Sequence, residues 1–166
     1  MTAKILRHQL LVTGNYIGLT LVYNRENSTI LQNANLEAAN TRTRLLIEFI
    51  IGRKRQDKRD FQPADLGVLD WHSRNAPRLR CDLTDLDQRS AHLSKVRVEN
   101  LEGYSWMPDS AFALILEEFS AIAIAVDVAG SNVAAQIIRG AVKGAYYLME
   151  NPTCVYPFDL GDLEDT

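Results

Sequence analysis

Ala111-Phe112-Ala113-Leu114-Ile115-Leu116-Glu117-Glu118-Phe119-Ser120-Ala121-Ile122-Ala123-Ile124-Ala125-Val126-Asp127-Val128-Ala129 is the most apolar run of the chain. A bilayer-spanning helix takes about 20 mostly apolar residues without embedded charges. Glu117, Glu118 and Asp127 interrupt this run, so it reads as a buried helix of a water-exposed bundle and not as a membrane span. Phe112, Ile115, Leu116, Phe119, Ile122 and Val126 recur at helical spacing and mark the face turned to a core. Pro108 and Asp109 suit its first turn, and Gly130 ends or sharply bends it.

Outward from that helix the same periodicity recurs. A fifth helix is predicted from about Asn132 to Glu150, stopped by Asn151 and Pro152. Upstream, a third helix is predicted from near Leu83, capped by Asp82 or Thr84, to between Glu99 and Gly103. A first helix covers roughly Thr2 to Tyr23, and a second runs from a Ser28 or Thr29 cap to about Ile51, with Gly52 as its stop. Between helices two and three, Arg53 to Arg80 forms a long connector punctuated by Pro63, Gly67 and Pro77. A connector of that length packs its apolar residues, Phe61, Leu66, Leu69 and Trp71, on the bundle and has room for a short helical turn. No β-alternation competes with these patterns. The expected fold is an all-α bundle of about five helices.

Small residues recur four apart at Gly14 and Gly18, at Ala121, Ala125 and Ala129, and at Gly140 and Gly144. Each set falls on one helical face, where helix axes approach closely, and tight antiparallel packing is expected there. A single domain over residues 1–156 accounts for the 166-residue chain, followed by an acidic tail at 157–166 with Asp159, Asp162, Glu164 and Asp165. Phe158, Leu160 and Leu163 in that tail are candidate anchors for a protein partner.

Composition narrows the function classes. With 46% hydrophobic and 23% charged residues the chain is neither disordered nor fibrous. Cys81 and Cys154 are isolated, which gives no support to a zinc site or a disulfide framework. The chain begins without the apolar core of a signal peptide, so the cytoplasm is the expected location. Neither a G-x-S-x-G elbow, an H-E-x-x-H pair, a G-x-x-x-x-G-K loop nor a G-x-G-x-x-G turn occurs. No cofactor or metal is therefore expected.

The net charge of −3 hides an asymmetry: Arg42 to Arg97 carries thirteen Lys and Arg against eight Asp and Glu, the remainder five against thirteen. Arg53, Lys54, Arg55, Lys58 and Arg59 complement the C-terminal dipole of helix two, and such a cluster is commonly just a solvated surface. The same charge also suits a phosphate backbone, in which case Arg74, Arg78, Arg80 and Arg97 share the face. A third reading is self-recognition, basic middle against acidic C-terminal region of a second copy.

His92 is the focal chemical residue, in Asp87-Gln88-Arg89-Ser90-Ala91-His92-Leu93-Ser94-Lys95-Val96-Arg97. On a helix, Arg89 lies three residues from His92 and faces the same way. A neutral imidazole abstracts a ribose hydroxyl proton while a guanidinium holds the phosphate, which suffices for metal-free RNA cleavage. The alternative is a packed, hydrogen-bonded structural histidine.

Three pieces carry a resemblance. Arg44-Leu45-Leu46-Ile47-Glu48-Phe49-Ile50, then Lys58-Arg59-Asp60-Phe61-Gln62-Pro63-Ala64-Asp65-Leu66-Gly67 with Trp71, then Ala91-His92-Leu93-Ser94-Lys95-Val96-Arg97 resemble an uncharacterised group of bacterial all-helical proteins. That group is similar, more distantly, to the HEPN superfamily of helical bundles, many of them RNases of toxin–antitoxin and antiviral systems that act as symmetric dimers. The superfamily's arginine precedes its histidine by four to six residues, whereas only two residues separate Arg89 from His92 here, or Arg97 follows it. The resemblance implies a homodimer that takes RNA, with His92, Arg89 and Arg97 as its catalytic residues and with Arg44 and Glu48 bracing the bundle. The competing expectation is a non-enzymatic homodimeric scaffold or protein-interaction module.

Overall fold

The computed structural model describes residues 2–25, 29–52, 61–90 and 109–152. Five α-helices account for most of them: α1 (Thr2–Arg25), α2 (Thr29–Ile51), α3 (Ala76–Ser90), α4 (Asp109–Val128) and α5 (Asn132–Glu150). A short 3-10 turn, Pro63–Leu66, lies between α2 and α3, and no strand occurs among the described residues. The described residues thus form an all-α bundle of five helices.

α1 is the inner helix. It packs on α2 along one side and on α5 along another, and Leu10 to Asn15 is buried without interruption. A helix buried on several faces must satisfy its polar side chains locally. Thr13 Oγ1 accordingly donates to the Gln9 carbonyl at 2.7 Å and Thr20 Oγ1 to the Tyr16 carbonyl at 2.8 Å.

The α1–α5 contact is made by glycine. A Cβ added at Gly14 would stand 2.5 Å from the Ala145 carbonyl oxygen, and one at Gly18 would stand 2.7 Å from that of Met149. From the other side, a Cβ at Gly144 would meet Leu11 Cδ2 at 2.5 Å. Leu11, Gly14 and Gly18 meet Gly144, Ala145 and Met149 in ascending order, so α1 and α5 run parallel, against the antiparallel packing expected from the sequence. Spacing of four fixes which face is small; it carries no information on the direction of the helix that fills it. The alanine row of α4 makes no such contact, because Ala121 and Ala129 are exposed.

α4 buries the predicted face, with Phe112, Ile115, Leu116, Phe119, Ile122 and Val126 fully enclosed. Its Phe119 ring stacks on Phe49 of α2, centroids 5.6 Å apart. Gly130, at φ +89°, takes the left-handed turn that leads α4 into α5, and Arg139 Nη2 closes the corner on Asp127 Oδ2 at 2.6 Å. No helix among the described residues is long and apolar enough to cross a membrane. Gly52, at φ +61°, ends α2 as its sequence position suggests.

The connector holds the predicted helical turn, with Pro63 and Leu66 buried. Trp71 docks as expected, its indole Nε1–H donating to the Ile50 carbonyl at 3.1 Å. Phe61 and Leu69 do not dock: they are 41% and 81% exposed. α3 begins at Ala76, not near Leu83, so Pro77 belongs to its first turn and not to the connector. The residues expected to prolong α3 toward Glu99–Gly103, and the acidic tail at 157–166, lie outside the described residues.

Candidate functional site

α3 is positioned from both ends of the connector. Asn75 precedes it, and its carbonyl accepts the Leu79 N–H at 2.9 Å, the first bond of the helix. Asn75 is itself held by α4: Glu118 Oε1 accepts both the Asn75 backbone N–H, at 3.1 Å, and its Nδ2–H, at 3.0 Å. Glu118 is only 3% exposed, and its Oε2 has no hydrogen-bond partner. A carboxylate buried in an apolar helix is costly unless it makes such bonds. In return, this one fixes where α3 starts.

The inward stripe of α3 is narrow: Leu79, Leu83 and Leu86 are buried among the core residues, and Asp82 lies between them. Asp82 Oδ1 pairs with Arg78 Nε at 3.5 Å, while Oδ2 is buried without a partner. Burial pushes the Asp82 carboxyl above the ordinary aspartate range, aided by Asp85 and opposed by Arg78.

The outward face of α3 and of the turn before it is basic. Arg74, Arg78 and Arg80 are exposed together with His72, Cys81 and Thr84. Three of the four arginines grouped from the sequence are thus exposed, Arg78 and Arg80 on different sides of α3 and Arg78 beside Asp82. Arg89 sits on the last turn of α3 by its backbone; His92 and Arg97 lie outside the described residues, as do Arg53 to Arg59. Arg44 Nε meets Glu48 Oε1 at 3.3 Å across one turn of α2, a pair within a single helix.

A second polar cluster forms between α1 and α2, and the sequence does not announce it. Arg42 on α2 donates through Nη1 to Gln9 Oε1 on α1 at 2.7 Å, and its guanidinium carbon lies 5.7 Å from the centre of the Tyr16 ring. His8 stands beside it, and burial, followed by the Arg42 charge, lowers its pKa below the ordinary histidine value. Both disfavour the protonated imidazole. Gln9 and Tyr16, seven apart on one helix face, are the available signal, but nothing in the sequence pairs that face with Arg42.

Among the described residues, no group of His, Cys, Asp and Glu side chains is arranged to hold a metal ion. Two adjoining open grooves run between α1 and α5. One of about 460 Å³ is lined by Arg7, Leu11, Gln136, Gly140, Gly144 and Tyr147, and one of about 500 Å³ by Lys4, Gly130, Ser131 and Val133. Ile137 lines both.

No family model matches the chain, and neither a curated protein nor a solved structure does. The resemblance to an uncharacterised group of all-helical proteins accordingly rests on its three motifs.

Proposed function

We propose that the chain is a HEPN-like helical-bundle protein of a bacterial defence or toxin–antitoxin type system that binds RNA along α3 and cleaves it without a metal. The observation that carries this reading is the exposure of Arg74, Arg78 and Arg80 on α3 and the turn before it, the segment that precedes His92 and Arg97 in the sequence. Arginine forks grip phosphate oxygens in two places at once, and a row of them follows a backbone without reading sequence. In this reading His92 takes the 2′-hydroxyl proton, the freed oxygen attacks the adjacent phosphorus, the bond from phosphorus to the 5′-oxygen breaks to leave a 2′,3′-cyclic phosphate, the departing oxygen takes a proton from the imidazolium or water, and Arg89 and Arg97 stabilise the charge that develops on the phosphate oxygens.

Two substitutions test its parts separately. Replacing Arg74 and Arg80 with Ala should weaken binding to single-stranded RNA at low salt and flatten its salt dependence by roughly 0.7 logarithmic units for each phosphate no longer neutralised. His92→Ala should abolish cleavage while leaving binding intact. An unchanged salt slope in the first, or unchanged cleavage in the second, would remove the reading.

A second reading, a homodimeric scaffold without catalysis, draws on the open α1–α5 groove. It predicts that His92→Ala affects neither assembly nor partner capture.

A further inference from the structure

The seam between α1 and α5 opens outward as a groove with an apolar floor. Leu11, Gly144 and Tyr147 line its end nearest the C-terminus of α5, and Arg7, Ile137 and Gly140 line the other end. Exposed Val133 continues the floor in the adjoining groove. Among the described residues, neither lining includes an acidic side chain. Arg7 supplies a cation from α1. Lys143, exposed on α5, supplies a second at the rim, because it lies seven residues after Gln136 and four before Tyr147, on one helical line with both. Arg139, one turn away, is engaged with Asp127.

We infer that the segment following Pro152, residues 153–166, folds back into this groove and runs along it toward the N-terminus of α5. Pro152 sets the point of departure. A Cβ added at Gly18 of α1 would stand 2.9 Å from Pro152 Cβ, so the chain leaves α5 at the seam itself.

Reach and register follow from the geometry of helix and extended chain. Gly144 lies eight residues before Pro152, about 12 Å of helix rise, whereas the six residues from Pro152 to Phe158 span up to about 20 Å, enough to reverse direction. Beyond that point an extended chain advances about 3.3 Å per residue against 1.5 Å in a helix, so each residue of the segment passes roughly two of α5. With Phe158 at the level of Gly144, Leu160 comes to the level of Gly140 and Ile137, and Leu163 to that of Val133. The three apolar residues of the segment thus meet the apolar floor along its length.

The charges agree with the same register. Residues 153–166 carry Asp159, Asp162, Glu164 and Asp165 and no Lys or Arg. Asp159 comes to the level of Lys143, and Asp162 to within a turn of the level of Arg7. Glu150, exposed in the last turn, is the one acid of α5, and the stretch that passes it, Thr153 to Phe158, is uncharged. A tail in this position covers the groove on which the scaffold reading draws, and it owes nothing to the RNA reading.

Disulfide trapping in the full chain tests this. Leu160→Cys is combined with Gly140→Cys in a Cys81→Ser, Cys154→Ser background at low micromolar concentration; a Cβ at Gly140 meets nothing within 4 Å, so folding is not at risk. Under mild oxidation this pair should close within one chain at least about tenfold faster than Leu160→Cys paired with Thr84→Cys, which is exposed on α3. Asp162→Lys should slow closure about fivefold, and Arg7→Glu added to it should restore the rate. Equal rates for the two pairs, links that form between copies instead of within one, or a rate indifferent to Asp162→Lys would each overturn the inference.

Discussion

Gly14 and Gly140 both occupy the middle of a helix and both belong to a pair of glycines spaced by four, yet their surroundings are opposite. Gly14 lies under the backbone of α5, where a single added carbon would come 2.5 Å from a carbonyl oxygen; Gly140 faces open space. The first glycine is a condition of the bundle's packing. The second costs the isolated helix stability and contributes nothing to the core.

The contrast is broken most severely by Gly14→Val. Backbone on backbone cannot yield as a flexible side chain does, and we expect a loss of about 3 kcal/mol in denaturant unfolding, with Gly18→Ala losing somewhat less. Next comes Glu118→Ala, which strips the acceptor from two Asn75 donors. A loss of about 2 kcal/mol is expected, with faster hydrogen exchange at the first turn of α3. Glu118→Gln keeps an acceptor for Asn75 and should lose less than the alanine variant.

At the small end, Gly140→Ala should raise stability by about 1 kcal/mol, read by unfolding at high dilution where association does not contribute. Equal losses at Gly14 and Gly140 would show that the two faces of the bundle do not differ as described.

Two titrations sharpen the picture with opposite signs. His8 binds a proton less readily folded than unfolded, so stability should fall as pH drops from about 6.5 through the lowered His8 value. A His8→Gln variant should lack that component. Asp82 binds its proton more readily when folded, so the wild type should lose stability relative to Asp82→Asn as pH rises from about 3.8 through the raised value. Thermal unfolding of each variant beside the wild type, across pH, reads both differences.

Legibility in the sequence tracked how local the deciding physics was. α4 was readable because its own periodicity, a proline and aspartate at one end and a glycine at the other contain the whole decision. α3 was displaced because its start is set by Glu118, which is 43 residues from Asn75 along the chain. Its three buried leucines make too narrow a stripe to announce the first turn, and Pro77 reads as punctuation until a neighbouring helix supplies the acceptor. Of the candidate site, the basic character of the middle of the chain was plain from composition, and Arg74, Arg78 and Arg80 are each exposed. The polar cluster of His8, Gln9, Tyr16 and Arg42 was not, since it exists only where α1 meets α2.

By itself, then, the sequence determined that this chain is helical, where four of the five helices among the described residues lie, which face of α4 is buried, and which helix faces are small. These follow from hydrogen bonding and side-chain periodicity within single segments. The tertiary structure decided that α1 and α5 run parallel, that a buried glutamate starts α3, that Leu69 and Phe61 stay outside, and that Gly14, Gly18 and Gly144 are packed while Gly140 is open. Each of these depends on which surface of another helix arrives at a given residue. That is settled only when the helices compete to bury their apolar faces against one another.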